Sequence, residues 1–427
     1  MNTKALKLVI SEMNSETQRV LSQIYSDPKS QKNRILSAID SFEKLFGEGR
    51  EVYLLSVPGR SEILGNHTDH NKGKVLAGAI DKDVIAVASK NGTDTINLKS
   101  EGYDKDTVDL SFIDDRSAYP NYSSASLVLG VAKGFSMNGC SVGGFDCYAT
   151  SDVLRGSGIS SSAAFEVMIG NVFNHLYNEG KVSNVEIAKI AQFAENEYFG
   201  KPCGLMDQMA CAVGGFVYMD FEDPKSPYIE PISFSLSDAG YYLCIVNTGG
   251  NHADLNEDYA SVPLEMKKVA AILGREVLRG ASEEDILVKA KDIRSTVGDR
   301  ALMRAVHFLR ENKRVELAKA ALIEKNTVEF FREVIASGKS SFEFLQNVYT
   351  TKNVSEQGLS LALLLTEGFL EGKDGAYRVH GGGFAGTIQA YVKKEWVEEY
   401  TALMESVFGE GAVMRLGIRP LGACRLF

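Results

Sequence analysis

The sequence predicts an α+β protein of two lobes, with mixed β-sheets covered by helices and an active site between the lobes. Three observations carry that expectation. The chain has 427 residues, more than one hydrophobic core usually supports, so two domains are expected. Strand-like and helix-like runs both recur along the chain, and two strands in succession near residue 80 suggest a mixed sheet. No Pro/Ser-rich linker separates the halves, so they should pack closely around a cleft. The division is expected near residue 219, giving an N-terminal lobe of 1–219 and a C-terminal lobe of 220–427.

Residues 3–46 read as two helices, with Leu6, Val9 and Ile10, then Leu36, Ile39, Phe42 and Leu45 at helical spacing. VYLLSV from Val52 is a short buried strand, and the polar, turn-rich stretch PGRSEILGNHTDHNKGK follows it as a loop. VLAGAID and DVIAVASK read as a strand pair. GGFDCYATSD alternates like a strand that ends at a Gly-rich loop. Residues 162–178 are apolar almost all round, which predicts a buried helix. Ser183 and Glu186 form a capping-box signal for the next helix, which Gly200 should end. YYLCIVN at 241–247 is a strand, 300–336 and 359–371 are helical, and the last fifty residues alternate again. No period implies a solenoid.

Composition is that of an ordinary globular protein: 44% hydrophobic, 24% charged and 9% aromatic residues. The net charge of −10 argues against a nucleic-acid partner, which would call for a basic surplus. Six cysteines, at 140, 147, 203, 211, 244 and 424, show neither a C-x-x-C pair nor zinc-ligand spacing. Reduced thiols in a cytoplasmic, monomeric protein are the simpler reading. The first apolar run is too short for a secretory signal, and nothing approaches the length of a membrane span.

Four segments carry chemistry. Leu154-Arg155-Gly156-Ser157-Gly158-Ile159-Ser160-Ser161-Ser162-Ala163 lies between a strand and a very apolar helix. Glycines allow close approach of backbone to ligand, and N–H groups at a helix start attract phosphate. The serine hydroxyls add reach toward phosphate oxygens or a metal. A plain serine cap after a glycine turn is the bland alternative. Gly338-Lys339-Ser340 mimics the end of a P-loop, but Glu333 stands where its first glycine belongs.

The second segment runs from Pro58 to Asn71 and gathers Arg60, Glu62, Asn66, His67, Asp69 and His70, which suits a polyhydroxylated ligand. Any one of these alone would read as a solvated turn residue; their density beside apolar strands points to a site. Third, Glu195 is followed by Gly200-Lys201-Pro202-Cys203-Gly204-Leu205-Met206-Asp207-Gln208, which places a carboxylate at the start of a helix, often only a cap. Fourth, His380-Gly381-Gly382-Gly383-Phe384-Ala385-Gly386-Thr387 demands close backbone contact with another loop or a ligand; a tight β-turn is the plainer explanation.

In this order, the four segments resemble the GHMP kinase superfamily and within it the galactokinases, over nearly the whole chain from about Phe42. Arg60–Asn71 looks like the sugar signature, Gly156–Ala163 like the ATP loop and Gly381–Gly386 like the C-terminal glycine motif. Tyr122 and the spacing of His252 to Tyr259 are smaller echoes. The resemblance implies ATP and Mg²⁺ as cofactors and a sugar of the galactose type phosphorylated at its anomeric hydroxyl. It implies that Arg60 stabilises the transferring phosphoryl group while Asp207 lies beside the anomeric hydroxyl as base or orienter. His67, Asp69 and Tyr259 match sugar contacts. Ser162 and Glu195 match metal ligands, and the backbone of Gly156, Ser157, Gly158, Ser160, Ser161 and Ser162 cradles phosphate. If Arg60 pairs with Asp207, the arginine should lower the aspartate's pKa and favour the orienting role.

The chain departs from the family's pattern at three positions. Asn66 stands where galactokinases carry a glutamate that contacts the 6-hydroxyl, Glu62 where they carry asparagine, and His70 where tyrosine is usual. Loss of a carboxylate near carbon 6 implies loosened or switched specificity there, toward a uronic acid such as galacturonate. A sugar- and ATP-binding regulator without catalysis is a further reading, opposed by the presence of Arg60, Ser162, Glu195 and Asp207. A mevalonate- or homoserine-kinase activity is opposed by the Asn66-His67-Thr68-Asp69-His70 cluster.

Overall fold

The computed structural model describes residues 1–153, 158–250 and 255–427. Twelve strands are formed among them: β1 Tyr53–Leu64, β2 Lys74–Lys90, β3 Thr95–Ser100, β4 Lys105–Asp109, β5 Phe145–Ser151, β6 Phe216–Asp220, β7 Tyr228–Ile232, β8 Tyr241–Asn247, β9 Gly375–Val379, β10 Thr387–Lys393, β11 Val413–Leu416 and β12 Cys424–Arg425. They build two sheets. The first is eight-stranded, in the order β12-β1-β2-β5-β3-β4, with β6 paired to β2 and β7 to β6; the second is four-stranded, β11-β8-β10-β9. Only β3–β5 is parallel among the strand pairs described, so the first sheet is mixed, as expected. The division expected near residue 219 falls inside the β6–β7 hairpin, and the change of sheet comes between Ile232 and Tyr241.

The first sheet is covered on both faces because its central strands are apolar on both. Successive side chains of a strand point to opposite faces. Leu54, Ile85, Val87 and Tyr148 pack with helices α1 (Thr3–Glu12), α2 (Ser15–Leu21) and α3 (Lys32–Phe46), through Leu6, Ile10, Ile35, Ile39 and Phe42. Their neighbours Leu55, Ala86, Ala88 and Cys147 face the main core. There they meet α4 (Ser124–Met137), α5 (Ser161–Tyr177), α6 (Asn184–Ala194) and α7 (Met206–Val213). The apolar run at 162–178 is that buried helix, α5.

In the C-terminal half, α8 (Asn256–Ile272), α9 (Glu283–Val288), α10 (Ala290–Val297) and α11 (Asp299–Ile323) share one cluster. Helices α12 (Thr327–Ser340), α13 (Gly358–Leu370) and α14 (Val397–Phe408) cover the second sheet.

Four local expectations change. The first 46 residues form three α-helices, because Asn14 caps a second start after Met13 adopts a left-handed conformation. β1 continues through Pro58–Leu64 with bulges at Pro58/Arg60 and Glu62/Leu64, so half of the supposed loop is strand. A bulge re-aims side chains beside a site, and here it lets polar Arg60 and Glu62 sit in a sheet. VLAGAID and DVIAVASK are one 17-residue strand, β2; Asp83, which a turn would expose, is instead buried among Ser56 of β1, Arg34 of α3, Tyr25 and Arg419. Residues 300–336 split into α11 and α12, because Lys325 is left-handed and Asn326 caps a new start. Ser183 caps α6 as expected, accepting from the Glu186 N–H, and left-handed Gly200 closes the turn that follows. Gly338–Ser340 lie inside α12, which removes any P-loop reading.

Candidate active site

Arg60 and Asp207, 147 residues apart in the chain, meet side chain to side chain. The guanidinium donates from Nε to Asp207 Oδ1 at 2.7 Å and from Nη2 to Oδ2 at 2.6 Å, a two-pronged fit of fork to carboxylate. Nη1 donates to the Gly158 carbonyl at 2.6 Å, and the Arg60 N–H donates to Ile159 O at 3.1 Å. The strand bearing the sugar signature is therefore fastened directly to the glycine- and serine-rich loop. Gly59 makes that approach possible, since a β-carbon there would lie 2.7 Å from the Ile159 carbonyl oxygen. Ser160, left-handed at φ 57°, heads α5 and donates its hydroxyl to Asp207.

Burial pushes the Asp207 pKa up, but the Arg60 guanidinium outweighs it, helped by Ser160, and the carboxyl is held below its ordinary value. Arginine carries five N–H donors. Among the described residues three of these are engaged, on Asp207 and Gly158, and two have no partner. Ser161 and Ser162 open the first turn of α5, with Ser162 exposed. Gly156 and Ser157 lie outside the described residues, as does His252.

Glu195 sits in the turn after α6 and is almost fully buried. Lys201 Nζ reaches its Oε1 at 2.9 Å, and Gln208 Nε2 donates to its Oε2 at 2.7 Å and to Glu166 Oε2 at 3.0 Å. Glu166 Oε1 is buried with no hydrogen-bond partner among the described residues. Burial, with the Glu195 charge adding, pushes the Glu166 pKa up.

The sugar signature closes on the glycine turn. After β1 the chain passes through left-handed His67 into a short 3₁₀ turn, Asp69–Asn71. His67 Nε2 contacts Gly382 O at 2.9 Å, and Tyr259 donates its hydroxyl to Gly383 O at 2.8 Å. Burial, with the neighbouring His70 adding, lowers the His67 pKa to about 4, so it donates as a neutral ring. Burial raises the Asp69 pKa but His70, 3.0 Å away, outweighs it and brings the carboxyl to about 2. The fourth motif's glycines thus serve contact with another loop: Gly383 has φ +82°, and a β-carbon there would lie 2.0 Å from Asn347 O.

Two expected sugar contacts are placed differently. Asn66 is 0% exposed. Its amide donates to Glu62 Oε1 at 2.9 Å and to Gly381 O at 2.7 Å, while its oxygen accepts from Asn347 at 2.7 Å and Ser341 at 3.4 Å. Both donors are engaged within the protein, leaving none for a carboxylate at carbon 6. Glu62 is also buried, 3.4 Å from the Arg378 guanidinium; burial raises its pKa despite that arginine. The argument for a switch at carbon 6 through Asn66 therefore loses its donor.

Sequence reasoning missed the partners of this loop. Glu311, fully buried on α11, accepts the Gly65 N–H at 3.1 Å and the Asn66 N–H at 3.4 Å, the Ser337 hydroxyl at 2.6 Å and Arg314 Nε at 2.7 Å. His307 Nε2 lies 3.1 Å from Asn66 O, and His380 Nε2 lies 3.1 Å from Ser61 Oγ. No local pattern marks Glu311, His307 or Asn347, which lie more than 240 residues from the loop they serve. Gln208 stands directly after Asp207 and was legible as a neighbour.

Comparison with known proteins agrees with this geometry. Residues 123–215 match the GHMP kinases N terminal domain, and residues 40–90 match the galactokinase galactose-binding signature. Galactokinase of Clostridium tetani is 30% identical over 361 residues, 83% of this chain and 87% of that protein. Galactokinase of Streptomyces coelicolor is 30% identical over 379 residues, 86% of this chain and 92% of that protein. The crystal structure of Lactococcus lactis galactokinase complexed with galactose superposes with a TM-score of 0.76 at 23% identity, covering 92% of this chain and 100% of that one. Methanococcus jannaschii mevalonate kinase shares the fold more distantly, with a TM-score of 0.59 at 14% identity over 86% of this chain and 98% of its own. Whole-length likeness, the sugar signature and the paired arginine and aspartate all agree: the chain belongs to the galactokinase family of the GHMP kinases.

Proposed function

We propose that this sugar kinase transfers the terminal phosphate of ATP to the anomeric hydroxyl of galactose or a close relative, at a site between two lobes that divide where the sheet changes, between Ile232 and Tyr241. The observation that carries this reading is the Arg60–Asp207 fork, fastened on one side to the serine-rich loop and standing, on the other, at the head of the sugar signature.

Phosphoryl transfer through a loose transition state needs in-line positioning and charge neutralisation more than a strong base. Asp207, held ionised by Arg60 and Ser160, suits orientation of the sugar hydroxyl as an acceptor. The two uncommitted Arg60 donors suit the equatorial phosphate oxygens. With its one N–H engaged on Gly382 O, His67 takes a sugar hydroxyl as an acceptor through Nδ1, as Asp69 does through its carboxylate, with Tyr259 bracing the glycine turn behind them. The backbone from Gly156 to Ser162 receives the phosphates at the start of α5.

Ser162 and Glu195 present hard oxygen ligands, and Mg²⁺ takes one or two protein ligands alongside substrate phosphates and water. The donor set fits: a carboxylate keeps acceptor capacity beyond its bonds to Lys201 and Gln208. Bound there, the ion would neutralise phosphate charge. With Asn66 engaged inside the protein, galactose is favoured over a uronic acid.

ADP release with ATP, Mg²⁺ and either galactose or galacturonate tests the reading. Expected is a kcat/KM for galactose at least about 100-fold above that for galacturonate, roughly 2.7 kcal/mol. A reversed preference, or no sugar-dependent ADP release at all, overturns it.

A further inference from the structure

We infer that Arg34, on helix α3, is a positioning residue for the phosphate loop, acting through Asp152 at the loop's stem. The inference rests on the reading that the loop takes ATP phosphates, and it gives the N-terminal helices a part in the reaction that packing alone would not.

The stem is built around one guanidinium. Arg34 Nη1 lies 2.7 Å from Asp83 Oδ1 and 3.0 Å from Asp152 Oδ2, while Nη2 donates to the Asp83 carbonyl at 2.8 Å. The same Asp83 carbonyl accepts the Asp152 N–H at 3.0 Å. Main chain and side chain of Asp152 are thus both fixed to one junction, immediately after β5 ends at Ser151. Asp83 is 0% exposed and sits opposite Pro58 in the β1–β2 register, just before the bulge that leads to Arg60.

Asp83 does not depend on Asp152. Tyr25 donates to it at 2.5 Å, Ser56 donates to it, and Arg419 lies 3.4 Å away. Its charge is compensated from several sides, so the second ion pair of Arg34 is surplus to burying Asp83. What that second pair does is fix where the chain leaves the sheet. On the far side, Gly158 O and Ile159 O are held by Arg60. The described residues on either side of 154–157 are thus each tied to an arginine, Asp152 to Arg34 from the N-terminal helices and Gly158 and Ile159 to Arg60 from the sugar signature. A loop whose backbone N–H groups receive phosphate works only when both ends are set, because small misplacements of reacting groups lose rate.

The test compares Asp152→Asn, Arg34→Lys and Ser162→Ala in the full chain. The readouts are KM for ATP, KM for galactose, Tm, and direct binding of a non-hydrolysable ATP analogue. Asp152 is partly exposed and Arg34 keeps Asp83, so Asp152→Asn should fold with Tm lowered by no more than about 2 °C. Expected is a KM for ATP raised about fivefold, with weaker analogue binding, while KM for galactose stays within about twofold. Arg34→Lys keeps the charge but loses the fork, and should move KM for ATP the same way. An unchanged ATP affinity in Asp152→Asn, beside a weakened Ser162→Ala, overturns the role of Arg34 and leaves the loop reading standing. An unchanged ATP affinity in Ser162→Ala overturns the loop reading, and this inference with it. Both KM values rising together with a falling Tm would make the contact merely structural and also overturn it.

Discussion

The two halves of the candidate site are built by different means. The sugar side is a buried, densely hydrogen-bonded network: Asn66 makes four side-chain hydrogen bonds, Glu311 accepts from two backbone N–H groups, Ser337 and Arg314, and the carbonyls of Gly381, Gly382 and Gly383 each accept from a side chain. The phosphate side is held at its ends by Arg34 and Arg60 and presents exposed Gly158 and Ser162 to solvent. On the proposed assignment of the two sides, the difference follows from the ligands. Telling one sugar hydroxyl pattern from another requires donors and acceptors fixed in direction. A phosphate asks mainly for positive potential and backbone N–H groups, which a short glycine loop supplies. The sugar side should therefore respond to substitution through stability and sugar affinity together, and the phosphate side through nucleotide affinity with little change in stability.

Arg60 belongs to both sides, so its loss is the largest break. Arg60→Ala removes the phosphate donors and leaves Asp207 without its counter-charge. kcat should fall about 10³-fold or more at saturating ATP and galactose, measured by ADP release. A fall under tenfold would mean the two sides are not joined through this residue in the reaction.

The next break confines itself to the sugar side. Asn66→Asp keeps size but replaces two donors with a carboxylate facing Glu62 and the Gly381 carbonyl. Leaving buried groups mispaired and placing like charges together should cost about 2–4 kcal/mol in denaturant unfolding at pH 7. KM for galactose should rise by roughly tenfold while KM for ATP holds. The pair would share a proton, so the folded-state carboxyl pKa would rise, and the lost stability should return as pH falls. Equal effects on both KM values would dissolve the contrast between the sides. Asn347→Ala sharpens it more gently. It removes one donor to Asn66 and one to Gly382 O, and should cost about 1–3 kcal/mol with the same selectivity for the sugar KM.

How much of this was readable beforehand divides along a physical line. Arg60, His67, Asp69 and the serine run stood out because glycine, arginine, carboxylate and hydroxyl occur there in short, dense runs, whereas Asp207, a lone carboxylate at a helix start, was singled out by the family resemblance and is brought to Arg60 by the fold. The buried helix α5 was legible because its apolar residues run all round it. The length of β1 was not, because bulges let polar residues continue a strand that pattern reading ends at Pro58. Nor was the undivided β2, since Asp81-Lys82-Asp83 reads as a turn until Asp83 is seen buried among Arg34, Arg419, Tyr25 and Ser56. Asn66 was assigned to the sugar by its place in a motif. Its direction is set by Asn347 and Gly381, residues whose proximity only the tertiary fold creates.

The mildest prediction probes a titratable pair on the sugar side, Asp69 and His70. Burial lowers the His70 pKa, but Asp69 outweighs it and the net shift is upward; Lys267 opposes and Glu62 assists. A raised histidine pKa means that the stabilising charge is fully present below about pH 6.5 and is lost as pH rises through the higher folded value. Asp69, depressed to about 2, stays ionised throughout and would then face the sugar without its counter-charge. His67, at about 4, is neutral over the same range and contributes no change. KM for galactose should therefore rise about two- to threefold between pH 6.5 and pH 9, with KM for ATP as the internal control. In His70→Asn, which offers Asp69 a donor but no titrating charge, the sugar KM should be flat with pH. A rise that persists in His70→Asn would assign the pH dependence to another group and leave the Asp69–His70 pair as a fixed structural contact.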